Sequence, residues 1–72
     1  MVTLRDILNM MSPYQHVRIF IQITTDDGCR DIIEYESSEA QNFIAMPIAN
    51  KEVVLLSSNP FYGNEINVSV RE

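Results

Sequence analysis

The first eleven residues place apolar side chains at the spacing of one helix face. The members of this stripe are Leu4, Ile7, Leu8 and Met11, and Met10 lies outside it. Thr3 is a favourable N-cap residue, and Asp6 three positions later completes a capping box. Ser12-Pro13 ends the pattern, because the residue before a proline avoids the helical region. The sequence therefore predicts a helix between Thr3 and Ser12.

From residue 16 to residue 25 the apolar positions alternate, which indicates a strand with one covered face. The inward set is Val17, Ile19, Ile21 and Ile23. The outward set is Arg18, Phe20, Gln22 and Thr24. Asp26-Asp27-Gly28 then predicts a hairpin turn, after which a second strand begins.

The length of this turn fixes the register of the hairpin. A two-residue turn would place Ile21 opposite Glu34 and bring a charge to the core face. A three-residue loop, with Gly28 in the left-handed conformation, places Ile21 opposite Ile33 instead. The same register pairs Ile19 with Tyr35 and Arg18 with Glu36. We therefore predict the three-residue loop.

Residues 37–50 predict a second helix followed by a turn. Ser38 and Gln41 have the spacing of a capping box, and Glu39 is favourable in a first turn. The residues that share an apolar face are Ala40, Phe43 and Ile44. Pro47 closes this helix, and residues 47–50 predict a tight turn or a single 3₁₀ turn.

Two more strands complete the pattern. Residues 53–56 are apolar at every position, which is typical of a strand covered on both faces or placed in the middle of a sheet. The last strand alternates, with Ile66, Val68 and Val70 inward and Glu65, Asn67, Ser69 and Arg71 outward. The order αββαββ predicts an α+β fold, in which the N-terminal helix packs on one face of a mainly antiparallel sheet of about four strands.

Composition narrows the class of protein. With 72 residues we expect one domain over residues 1–72, and its thin core favours a homo-oligomer. Cys29 is the only cysteine, so a cytoplasmic location is expected. We expect neither a signal peptide nor a membrane span, because no apolar run has the required length.

Charge is concentrated in one segment. The formal net charge is −5, and we therefore expect no direct binding to nucleic acid. Residues 26–39 contain six of the ten acidic residues and one base, Arg30, so this segment alone nets −5. Its acidic residues are Asp26, Asp27, Asp31, Glu34, Glu36 and Glu39.

The acidic hairpin allows three interpretations. Asp26, Asp27 and Asp31 supply oxygen ligands for a divalent cation, but their spacing matches no calcium loop. Carboxylates beside a turn glycine are also ordinary hairpin chemistry. The third interpretation is an acidic patch that binds a basic protein surface, since complementary charge speeds encounter. We predict no metal or other cofactor and assign these three residues to partner binding.

Two apolar features suggest further contacts. Phe20 and Ile32 are diagonal neighbours on the outer face of the first hairpin, where either the second helix covers them or they mediate self-association. Residues 59–64 place Phe61 and Tyr62 between turn-forming residues. We predict that these aromatics, with Asn64, contact a partner, although the alternative is that they anchor the loop to the core.

Catalysis has no support in the sequence. His16 opens the first strand and Cys29 follows the turn, which separates them by ~25 Å of strand. A nucleophile and its base need hydrogen-bonding distance. No glycine-rich phosphate loop is present, since Gly28 and Gly63 are the only glycines. We therefore predict that the protein is not an enzyme.

A few segments resemble a group of small uncharacterised proteins of Gram-positive bacteria and their phages. They are the opening residues 3–8, the strand start Val17-Arg18-Ile19, and Lys51-Glu52-Val53 at the start of a later strand. The loop at residues 59–64 is longer than in that group. The resemblance implies a phage or prophage protein in the cytoplasm of a bacterial host. It also implies action by binding and blocking or sequestering a host defence factor.

These observations leave a main hypothesis and its alternatives. The main one is a non-enzymatic binding protein that engages a host protein. The first alternative is an oligomeric sponge for a small signalling nucleotide, with Phe61 and Tyr62 stacking on the base. Its phosphate ligands would come from Arg5, Arg18, Lys51 and Arg71. A further alternative is an acidic DNA mimic or a structural accessory subunit.

Overall fold

The computed structural model describes residues 1–26, 28, 30–58 and 64–72, without the side chains of Arg30 and Asp31. The helix α1 spans Leu4–Leu8. The strands are β1 (His16–Thr24), β2 (Arg30–Glu39), β3 (Val53–Ser58) and β4 (Ile66–Arg71). Two 3₁₀ helices, Ala40–Asn42 and Pro47–Asn50, connect β2 to β3.

The four strands form one mixed sheet in the order β2-β1-β4-β3. The hairpins β1–β2 and β3–β4 are antiparallel, but β1 and β4 pair in parallel at the centre. The prediction of a mainly antiparallel αββαββ fold is therefore wrong. The parallel pair joins segments that are far apart in sequence, and the alternation within each strand carries no information about that choice.

The start of α1 agrees with the predicted capping box. The backbone N–H of Thr3 donates to Asp6 Oδ2 at 3.0 Å, and the N–H of Asp6 donates to Thr3 Oγ1 at 3.3 Å. Leu4 and Leu8 are buried, as their place in the stripe predicts. The helix ends at Leu8, well before Ser12, because the following residues form a turn closed by Met11 N–H and the carbonyl of Leu8.

The predicted second helix is absent from this position. The strand β2 continues to Glu39, so Ser38 pairs with Val17 instead of capping a helix. The next amides are already bonded to the segment before β1. The N–H of Ala40 donates to Gln15 O at 2.8 Å, and that of Gln41 donates to Pro13 O at 3.0 Å. A single 3₁₀ turn results. Of the two alternatives predicted for residues 47–50, a tight turn or a 3₁₀ turn, the structure has the 3₁₀ turn, Pro47–Asn50.

The register of the β1–β2 hairpin agrees with the prediction near the turn and differs farther from it. Gly28 has φ +84, and Ile21 lies opposite Ile33. Beyond this point the register shifts by one residue, because Tyr35 is an extra residue in β2. The predicted pairs Ile19–Tyr35 and Arg18–Glu36 are therefore wrong. The observed pairs are Ile19 with Glu36 and Arg18 with Ser37.

The core lies on one face of the sheet, which we call the inner face. It is covered by α1 and by the two 3₁₀ turns between β2 and β3. The buried apolar members are Leu4, Leu8, Val17, Ile19, Ala40, Phe43, Ile48, Val68 and Val70. Phe20 points to the opposite, outer face of β1 and does not belong to this cluster. The second helix that would have covered Phe20 and Ile32 is thus replaced by turns on the inner face.

The strand β3 lies at an edge of the sheet, so the prediction of a fully covered or central strand is wrong. Leu55 and Leu56 are about half exposed, at 52% and 51%. Among the described residues, no helix is long and apolar enough to cross a membrane.

Candidate functional site

The strand β2 forms the edge of the sheet opposite β3 and carries most of the acidic segment. Among the strands that the structure describes, its only neighbour is β1, and none lies on its other side. The acidic residues of β2 are Asp31, Glu34, Glu36 and Glu39. We call this strand, with the turn residue Asp26, the acidic edge. Asp26 is exposed, and the backbone of Asp31 pairs with Ile23.

The bulge at Tyr35 distributes the carboxylates of the acidic edge over both faces of the sheet. Glu34 lies opposite Phe20 on the outer face, while Glu36 lies opposite Ile19 on the inner face. Both are exposed. Without the extra residue, both would lie on the outer face, because side chains two positions apart share a face. The bulge therefore presents negative charge to a partner approaching from either side.

Two carboxylates of the acidic edge also make contacts within the protein. Arg18 Nη1 donates to Glu34 Oε1 across the hairpin. Gln41 Nε2 donates to Glu39 Oε1 at 3.1 Å. The side chain of Glu34 is 51% exposed, so it keeps a solvent-facing surface that a partner can reach.

The residues predicted to bind a partner lie at two ends of the molecule. Asp26 follows the end of β1, whereas Asn64 precedes β4, whose first residue pairs with Val17 at the start of β1. This places roughly nine residues of strand, or about 30 Å, between Asp26 and Asn64. Asn64 is exposed, and its carbonyl accepts a hydrogen bond from Gln15 Nε2. Asp27, Phe61 and Tyr62 lie outside the described residues, as does the side chain of Asp31.

A buried carboxylate that the sequence did not reveal lies at the start of β4. Glu65, predicted to point outward, is 5% exposed. Arg18 Nε donates to its Oε1 at 2.7 Å, and Arg18 Nη2 donates to its Oε2 at 3.3 Å. The bond to Glu65 and the smaller contribution of Glu34 raise the pKa of Arg18 above its ordinary value. No spacing in the sequence indicated this pair, because β1 and β4 meet only through the parallel pairing.

His16 and Ser37 border this carboxylate, which raises the question of a catalytic triad. His16 Nε2 lies 2.6 Å from Ser37 Oγ and 3.3 Å from Glu65 Oε2. In a triad the serine and the acid contact different ring nitrogens. One nitrogen accepts the proton of the serine, and the acid orients the ring through the other nitrogen. Here both contacts use Nε2. The arrangement joins β1, β2 and the residue before β4 through one ring nitrogen, which differs from the geometry of a triad.

Three of the four bases proposed for the nucleotide alternative contact protein acceptors. Arg5 Nη2 donates to Ile44 O at 3.1 Å, and Arg71 Nε lies 3.7 Å from Glu52 Oε2. Arg18 is held by carboxylates as described above. These bases lie on α1, β1 and β4, and the contacts of Arg5 and Arg18 occupy donors that a phosphate would need. Their geometry does not favour a shared phosphate pocket.

Phe20 and Ile32, the predicted self-association residues, lie on the outer face. Phe20 is half-buried between Glu34 and Ser69 in neighbouring strands, and Ile32 is 56% exposed.

A polar groove of about 530 Å³ lies at the end of the sheet where β1 and β4 finish. Its lining residues are Gln22, Thr24, Glu52, Val53, Val54, Leu55 and Arg71.

In the described ranges, no three His, Cys, Asp or Glu side chains gather closely enough to hold a metal ion. Comparison with protein-family models, curated proteins and solved structures gives no match to this chain. The site is therefore defined by its own geometry. Of the features described, the acidic edge combines accessibility, charge and an open row of backbone groups.

Proposed function

We propose that the protein is a non-enzymatic binding protein whose acidic edge docks on a basic surface of a partner protein. One observation carries the proposal. The edge strand β2 belongs to the segment that holds the whole net charge of −5. A free strand edge offers unpaired backbone groups, and partners can add a strand to such an edge. The carboxylates on both faces favour a partner whose binding strand is flanked by Lys and Arg side chains.

Charge acts mainly on the rate of encounter. Complementary potentials accelerate association, and screening over about 8 Å at physiological salt weakens this effect. The same carboxylates repel a second acidic edge and so prevent β2 of one copy from pairing with β2 of another. The edge is thereby kept available for a basic partner.

The identity of the partner rests on the sequence resemblance described above. We propose that it is a host factor, bound in the cytoplasm and blocked or sequestered there. A DNA mimic would use the same carboxylates, and the class of the captured protein distinguishes that outcome, since a mimic binds proteins that otherwise bind DNA.

The test compares two variants of equal charge. Asp26→Asn with Glu36→Gln removes two of the five carboxylates of the acidic edge, while Glu52→Gln with Glu72→Gln removes the same charge elsewhere. Immobilised wild type and variants are incubated with host lysate, and bound proteins are identified by mass spectrometry. We expect the first variant to lose the specifically captured protein and the second to retain it. Equal capture by both variants would exclude the acidic edge as the binding surface.

A further inference from the structure

The strand β3 is the second edge of the sheet and differs from β2 in composition. Its sequence, Val53–Ser58, contains no charged residue, whereas β2 carries four acidic residues. Proteins protect free edges with charges and bulges, because a neutral apolar edge pairs with another strand. The charge-free part of this edge after its own register shift is Leu55, Leu56, Ser57 and Ser58.

Leu56 is the exposed apolar residue of this edge on the inner face of the sheet. It lies in the inner-face row with Ile19 and Val68, which are both fully buried. Leu56 is 51% exposed, since no described strand lies beyond it. Burying a half-exposed leucine stabilises an assembly by removing apolar surface from water.

Charge decides which occupant fits. Two copies cannot pair through β2 without placing like charges together, which is destabilising. Two copies of β3 meet without any charge, and a two-fold axis makes the same strand complementary to itself and closes the assembly. A basic partner, in contrast, gains nothing from the neutral β3 and is drawn to β2.

We propose that a second copy of this chain pairs antiparallel with β3, so that Leu56 lies opposite Leu56 of the second copy. Directly opposed residues share a face, so the inner face of one sheet continues into the inner face of the other. Centring the two-fold axis on Leu56 keeps the faces matched and buries the leucine against its own counterpart. Leu55, on the outer face, then lies opposite Ser57. The two four-stranded sheets become continuous, and both acidic edges remain at the outer rims.

Cysteine cross-linking tests the register. In a Cys29→Ser background, Leu56→Cys brings two thiols together across the axis, within the range in which a disulfide forms. Leu55→Cys is the matched control, because Leu55 is equally exposed but lies opposite Ser57. We expect mild oxidation to convert most of the Leu56→Cys protein to a covalent dimer and little of the Leu55→Cys protein. Equal cross-linking of the two variants would overturn the register.

Sedimentation tests the surface. We expect wild type to be a dimer at about 100 μM, where domains with thin cores gain from association, and Leu56→Lys to be a folded monomer with a wild-type circular dichroism spectrum. Phe20→Ser with Ile32→Thr changes the outer face and is expected to stay dimeric. A monomeric wild type would overturn the proposal. So would a dimer that is lost only in the Phe20 and Ile32 variant, since that result assigns self-association to the outer face.

Discussion

Arg18 Nε donates a hydrogen bond to Glu65 Oε1 at 2.7 Å, and this contact joins β1 to the residue that leads into β4. Glu65 is almost fully buried, and Arg18 also reaches Glu34 on β2. One guanidinium therefore links three of the four strands. A buried carboxylate is tolerated only where a charged donor compensates for its lost hydration, and Arg18 meets this need with two donors.

We expect Glu65→Gln to lower the free energy of unfolding by about 1.5–3 kcal/mol, the range for hydrogen bonds to charged groups. The amide of glutamine has nearly the same size as the carboxylate, but it lacks the negative charge that pairs with the Arg18 guanidinium. Urea unfolding, followed by circular dichroism, measures the difference.

Glu34→Gln is the control, because it removes a half-exposed carboxylate from the same guanidinium. Surface ion pairs contribute little, so its effect should remain within about 0.5 kcal/mol. If the two variants were equally destabilised, the burial of Glu65 would have no energetic consequence.

The helix α1 offers a contrast between a buried and an exposed apolar residue. Leu8 is 1% exposed and Met10 is 83% exposed. We expect Leu8→Ala to cost about 2–4 kcal/mol, because truncation in a core leaves a cavity. Met10→Ala should change stability by less than about 0.5 kcal/mol. Equal midpoints in denaturant would show that this helix does not pack through the Leu4 and Leu8 face.

Gly28 provides a test of the hairpin turn. Its φ of +84 is a conformation that side chains disfavour, and a Cβ there would meet no atom within 4 Å. Gly28→Ala should therefore destabilise through the backbone alone, by about 1–2 kcal/mol. Gly28→Asn should cost less, because asparagine tolerates this conformation better than alanine. Thermal melts of the two variants give the comparison, and a more stable Ala variant would contradict the left-handed turn.

Features set by neighbouring residues were predictable from the sequence. The capping box of Thr3 and Asp6, the left-handed Gly28 and the Ile21–Ile33 pair all follow from short-range chemistry. The predicted helix after Ser38 failed for a tertiary reason. The amides that would have started it donate to backbone carbonyls in the segment before β1. Those carbonyls are distant in sequence, so no local pattern indicates the contact.

The arrangement of the candidate site depended on long-range pairing. The acidic edge was visible as a charged segment, but the bulge that sends Glu34 and Glu36 to opposite faces is not specified by alternation alone. The burial of Glu65 arises only when β4 lies parallel to β1. The apolar run at residues 53–56 indicated a covered strand, and its place at an edge follows from the same strand order.

Asp6 predicts a specific loss of stability in acid. Hydrogen bonds from the backbone N–H of Thr3 and, to a smaller extent, from its side chain lower the pKa of the Asp6 carboxyl below its ordinary value. A carboxyl whose pKa is lower in the folded state stabilises the fold above its unfolded pKa, and this contribution is lost as the pH falls through the folded pKa. We therefore expect wild type to lose this part of its stability below about pH 4. Asp6→Asn should be less stable at neutral pH and should converge with wild type in acid. Midpoints measured across this range provide the test, and a constant difference between the two proteins would contradict it.

The last prediction separates the acidic edge from the aromatic residues Phe61 and Tyr62, which the sequence assigns to partner binding. Asp26 and Asn64 lie at opposite ends of the sheet, so a partner must be large to contact both. If charge steers the encounter, Asp26→Asn with Asp27→Asn should slow association and flatten its dependence on salt, while dissociation stays unchanged.

Phe61→Ala and Tyr62→Ala should instead raise the rate of dissociation from the partner. An aromatic anchor that fills a pocket slows dissociation, and truncating a hot spot costs at least about 2 kcal/mol, or ~30-fold in affinity. Surface plasmon resonance with the partner identified by lysate capture gives both rates for each variant. If the aromatic variants fold and bind like wild type, the loop takes no part in the contact. Binding would then rest on the acidic edge, and Asn64 would be the one predicted contact left at the other end of the sheet.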